Sequence, residues 1–133
     1  LGVAIAAGVA AVLFSARIDE PPVGPAIDGV WVGRVDYPWG VAVDERFELA
    51  VGDGALSGSA SFLGVPRTIE SGALRDGRLQ FITRSTEVAG DGPPRELVHR
   101  YVGEPGEGGI RFTLDSRGSI SPSAPVRFIL RRP

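Results

Sequence analysis

The chain has 133 residues, a formal net charge of -2, and no cysteine. The charge argues against nucleic acid as a partner, because phosphate binding needs a concentrated basic surface, and all the positive charge here is scattered arginine. Without cysteine there are no disulfides, no thiol catalysis and no thiolate-ligated metal. The 19 glycines and 11 prolines recur at short intervals, the punctuation of an all-β chain with many tight turns.

Residues 1–14, LGVAIAAGVAAVLF, carry no charge. As a helix they reach about 21 Å, against roughly 30 Å for the hydrocarbon core, so they read as the C-terminal part of a membrane span. A cleaved signal peptide fits poorly, since Phe14 and Leu13 occupy the minus-three positions of cuts after Ala16 and Ser15. A core helix would show a polar stripe, and none is present. Gly2, Ala6 and Ala10 lie four apart, giving either a small-residue face for another membrane helix or the ordinary alanine–glycine content of such a span. The flank of Arg17, Asp19 and Glu20 has no positive excess and places the following domain outside. The sequence thus divides into a membrane helix over 1–16, a proline-rich linker over 17–27 and a domain over 28–133.

From Asp28 the pattern has period two. A first strand over 29–37 puts Trp31, Gly33, Val35 and Tyr37 on one face, and Tyr37-Pro38-Trp39-Gly40 turns the chain. A second strand over 42–51 sets Phe47, Leu49 and Val51 against Arg46 and Glu48; Gly52-Asp53-Gly54 is a hairpin signal. Strands follow over 55–63, over 67–74 with Ile69 inward, and through Leu79, Phe81 and Thr83. After the polar loop AGDGPP come Leu97, His99 and Tyr101, then Ile110, Phe112 and Leu114, and finally Val126, Phe128 and Leu130. Eight short strands with close turns predict an antiparallel up-and-down barrel. Its many large rings predict a filled interior, with no cavity above about 300 Å³, the lower end for ligand pockets.

Gly29-Val30-Trp31 resembles the G-x-W opening of lipocalins and other calycins, and the G-x-L-x-G and G-x-I-x-F hairpins and the 125–131 closing strand resemble lipocalin-like barrels of bacterial exported proteins. The resemblance covers roughly residues 28–132. It implies an eight-stranded lipocalin-like barrel closed at one end by Gly29 and Trp31, with Arg127 or Arg131 over the tryptophan in a cation–π contact worth about 0.5–2 kcal/mol.

No catalytic set stands out. His99 is the sole histidine, no G-x-S-x-G elbow accompanies it, and it reads as a core or barrel-mouth residue with one hydrogen-bond partner. One histidine and no cysteine give no metal centre and no cofactor site. Asp53, Asp76 and Asp91 precede glycines and read as turn residues. Trp39, in a turn, either folds back over the barrel mouth or anchors a protein or membrane contact. The expectation is a non-catalytic, single-pass accessory subunit of a bacterial inner-membrane complex, photosynthetic or respiratory, with its barrel on the periplasmic side. Its partners would be other membrane subunits and, through residues 1–14, the bilayer. The alternative is a membrane-tethered carrier or sensor of a small apolar ligand.

Overall fold

The computed structural model describes residues 26–133. The expected membrane helix with Gly2, Ala6 and Ala10, and all but the end of the linker, lie outside the described residues. Within them there are nine strands and no helix. These are β1 (Gly29–Asp36), β2 (Ala42–Gly52), β3 (Ala55–Phe62), β4 (Val65–Thr68), β5 (Glu70–Arg75), β6 (Arg78–Glu87), β7 (Arg95–Gly106), β8 (Gly109–Arg117) and β9 (Val126–Leu130).

The sheet order is β9-β8-β7-β6-β5-β3-β2-β1, with β4 beside β3. Every pairing is antiparallel, and each strand pairs with the next in sequence except β4 and β5, which both pair with β3; this is the expected meander with one strand broken in two. The ends of the sheet meet where Val32 and Arg131 exchange two backbone hydrogen bonds of 2.8 Å, so the barrel is nearly closed. Gly33 permits that seam. A Cβ there would overlap the Ile129 carbonyl oxygen and come within 2.9 Å of Leu130 Cδ2. Gly33→Val is therefore expected to cost at least about 2 kcal/mol, read as a lower urea midpoint. An unchanged midpoint would show that the seam does not need this approach.

The fourth expected strand is two. Its first half, β4, pairs with the end of β3; its second half, β5, pairs with the start of β3 and with β6. Between them the Ile69 N–H reaches Gly58 O at 2.9 Å, and at the start of β5 Ser71 takes a φ of 52° where the register with β6 shifts. This is a bulge that bends the strand around the barrel.

The inward positions fill in layers. At one end Trp31, Leu49, Leu56, Leu79, Ile110 and Leu130 are buried. In the middle Phe47 stands edge-on to Phe81, Tyr101, Phe112 and Phe128 with ring centroids 5.1–6.1 Å apart. Ile27, placed by sequence in the linker, is buried against this core, and its carbonyl accepts the Trp31 indole N–H at 2.8 Å. The chain therefore enters at the tryptophan end. Among the described residues the core runs from Ile27 to Leu130 and the seam is made at Arg131, so residues 26–133 hold a packed core and the closure of the barrel.

The cation over Trp31 is Arg132, with its guanidinium carbon 4.0 Å from the ring centroid, and neither Arg127 nor Arg131. Val126, Phe128 and Leu130 point inward, which turns Arg127 and Arg131 out. The Arg131 backbone still helps to close the barrel. Arg132 also donates to Ala26 O at 2.8 Å and to Val30 O at 3.4 Å, tying the chain entry to its end. Arg132→Ala should lower stability by about 1–2 kcal/mol. A calorimetric melt indistinguishable from wild type would remove the contact from the list of closing interactions.

Candidate functional site: a cup at the open end of the barrel

Towards the end opposite Trp31 the inward side chains become small or polar. Along β6 they run Leu79, Phe81, Thr83, Ser85; along β8, Ile110, Phe112, Leu114, Ser116. Serines cannot fill the space that rings fill one layer below. The result is a cup of about 790 Å³, open to solvent and lined by residues including Trp39, Phe62, Leu63, Val65, Arg67, Leu97 and His99. The expectation of a filled interior thus holds for the closed end and the middle and fails at this end.

His99 forms part of the lining at the cup's base. It is fully buried, its ring stacks on Phe62 with centroids 3.9 Å apart, and both nitrogens are engaged. Ser85 Oγ lies 2.7 Å from Nε2 and Ser116 Oγ 2.7 Å from Nδ1, so it has two partners where the sequence suggested one. One ring nitrogen donates and the other accepts, and a rotating hydroxyl suits either role. Burial, and then the nearby Arg67 charge, push its pKa down to about 4. The imidazole is therefore neutral at pH 7 and a weak base. With serine rather than a carboxylate at Nδ1, the Ser85–His99 pair lacks the group that orients and charges the base of a nucleophilic triad.

Glu45 builds the adjoining wall. The sequence suggests only a strand-face carboxylate, but it has the parity of Phe47 and Leu49 and is 2 % exposed. It accepts from Ser61 Oγ at 2.6 Å, Leu63 N at 2.8 Å and Gly64 N at 2.9 Å, and from the Tyr37 hydroxyl. Two of these donors belong to the β3–β4 turn, so one carboxylate fixes the lip that carries Leu63 and Val65. Burial and the hydrogen bond to Glu45 raise the Tyr37 pKa, keeping the phenol protonated as the donor.

Trp39 folds back, its ring stacked on Tyr37 at 4.9 Å, and lines the mouth of the cup while remaining half exposed. Opposite it, Glu87 holds the 118–124 loop by accepting from Ser119 Oγ at 3.0 Å and Ile120 N at 3.2 Å. Arg127 and Arg131 are far from this chemistry. They border a separate depression of about 700 Å³ on the outer wall, with Arg34, Arg78, Arg111 and Ile129. That depression is lined mainly by outward strand-face side chains, with Phe112 and Phe128, whereas the cup is lined by the inward residues Phe62, Ser85, Leu97, His99 and Ser116 together with the rim loops.

No protein-family model, curated protein or solved structure matches this chain.

Proposed function

We propose that this domain is a non-catalytic, lipocalin-like receptor or carrier that holds a small apolar ligand in the open-end cup. The observation that carries the reading is the cup itself. At about 790 Å³ it falls within the range of small-molecule sites, and apolar side chains mix in it with a few fixed polar groups. Rigid walls support it, because Glu45 and the two serines on His99 are held by short hydrogen bonds. The neutral, doubly bonded His99 favours binding over proton transfer. The described chain enters the barrel at Ile27, at the end opposite the cup, so it leaves the mouth clear.

Decanol is a suitable neutral probe for residues 26–133. Its binding is expected to shift the Trp39 indole N–H resonance and leave that of Trp31 in place. Ala124→Trp, on the exposed lining loop, should fill the mouth and weaken binding at least tenfold. Saturable binding that ignores this substitution would count against the cup.

A second reading, the accessory subunit of a membrane complex, draws support from the exposed apolar side chains Trp39, Val41, Leu63 and Val65 near the same mouth. Such a rim would cap a partner protein. Co-purification of host-complex subunits with the full chain in mild detergent, lost in Trp39→Ser/Val65→Ser, is the outcome this reading expects.

A further inference from the structure

We propose that the ligand is a monoanionic amphiphile, whose carboxylate is held by Arg67 and whose apolar tail lies against Phe62, Leu63, Val65 and Leu97. This rests on the cup being the binding site. Arg67 pairs across the ladder with Ala60, which is fully buried, so its side chain starts on the inward face of the wall. It lines the cup and lies close enough to His99 for its charge to be felt there.

Its surroundings do not use it. The Nε atom is buried without a hydrogen-bond partner, and among the described residues no carboxylate forms an ion pair with Arg67. By contrast, Arg78, Arg84 and Arg117 each reach a carboxylate at 2.8–3.0 Å. A partly buried cation left unpaired inside a barrel is costly, and the acceptor it lacks is a planar anion matching the guanidinium fork.

The acids of the cup and its wall are already committed. Glu45 receives four donors, and Glu87 at the rim holds Ser119 and Ile120. Glu87 also lines the cup, so a dianion would meet repulsion there, and one negative charge against one guanidinium is the balance that fits. The hydroxyls of Ser119, Ser121 and Ser123 supply further polar lining.

The experiment compares decanoate with decanol on residues 26–133 at pH 7.5 by calorimetry, for wild type and Arg67→Met. The methionine keeps the apolar stem and removes an unpaired buried donor, so the variant should fold and melt no lower than wild type. Wild type is expected to bind decanoate at least tenfold tighter than decanol. Arg67→Met should lose that preference and keep its decanol affinity within about threefold. Equal affinity of the two probes for wild type, or decanoate binding unchanged by Arg67→Met, would overturn the assignment and leave the cup as an apolar site. Binding of neither probe would overturn it together with the ligand-binding reading.

Discussion

Glu45→Ala is expected to be the most damaging single substitution in the wall of the cup, lowering unfolding free energy by about 3–5 kcal/mol. The carboxylate is buried and gathers four donors: the Tyr37 and Ser61 hydroxyls and the Leu63 and Gly64 amides. Removing it strands the buried Tyr37 and Ser61 hydroxyls and the part-buried Leu63 and Gly64 amides, and an unsatisfied buried donor costs about 1–3 kcal/mol. Partial relaxation of the β3–β4 turn keeps the total below the simple sum. Glu45→Gln should fall between, since its amide oxygen can still accept from some of these donors while its NH₂ faces the others. Urea unfolding measures the order, wild type above Glu45→Gln above Glu45→Ala. A loss below about 1 kcal/mol for alanine would mean that the turn finds other partners and that the carboxylate is not what holds the lip.

Acid is expected to weaken the fold through His99. Its native pKa is about 4, against 6.5 for the free side chain, because burial and then Arg67 oppose the charged form. The unfolded chain binds the extra proton between these values, so the sign is fixed. The stability that comes from keeping the imidazole neutral is fully present above pH 6.5 and is lost as pH falls towards 4. The loss over that window is on the order of 3 kcal/mol. His99→Gln does not titrate, so the difference in unfolding free energy between wild type and this variant should shrink by about 2–3 kcal/mol from pH 7 to pH 4.5. Parallel pH profiles would show that His99 is not the group responsible.

Much of the barrel could be read from parity. The alternation of Trp31 and Val35, of Phe47 and Leu49, and of Phe112 and Leu114 gives both strand and inward face, and all of these are buried. The same rule, pressed further, would have located what was missed. Val126, Phe128 and Leu130 inward make Arg127 and Arg131 outward, and leave Arg132 to reach back over Trp31. Glu45 shares the parity of Phe47, yet an acid does not look like a core residue, and two of its four donors come from a distant turn that no local pattern reveals. The cup, too, had a trace: the inward series ending in Ser85 and Ser116 taper from rings to hydroxyls at one end. The large rings are concentrated in the middle of the barrel, so their total number over the chain does not reveal that gradient.

Other features depended on tertiary geometry. Ser71 bends the start of β5 with a positive φ that glycine would adopt more readily, so the break beside Ile69 has no sequence signal. Ile27 follows a proline-rich stretch and reads as linker, yet the Trp31 indole recruits its carbonyl. Arg67 looks like any surface arginine until the ladder places it across from Ala60.

The central claim, that the open end of the barrel is a ligand site, is tested most directly by isotope-filtered NOE measurements between unlabelled decanol and labelled residues 26–133. The account predicts contacts from the alkyl chain to Phe62, Val65 and Leu97, with Trp39 at the mouth. Contacts confined to the outer wall around Ile129, or none at saturating decanol, would contradict it.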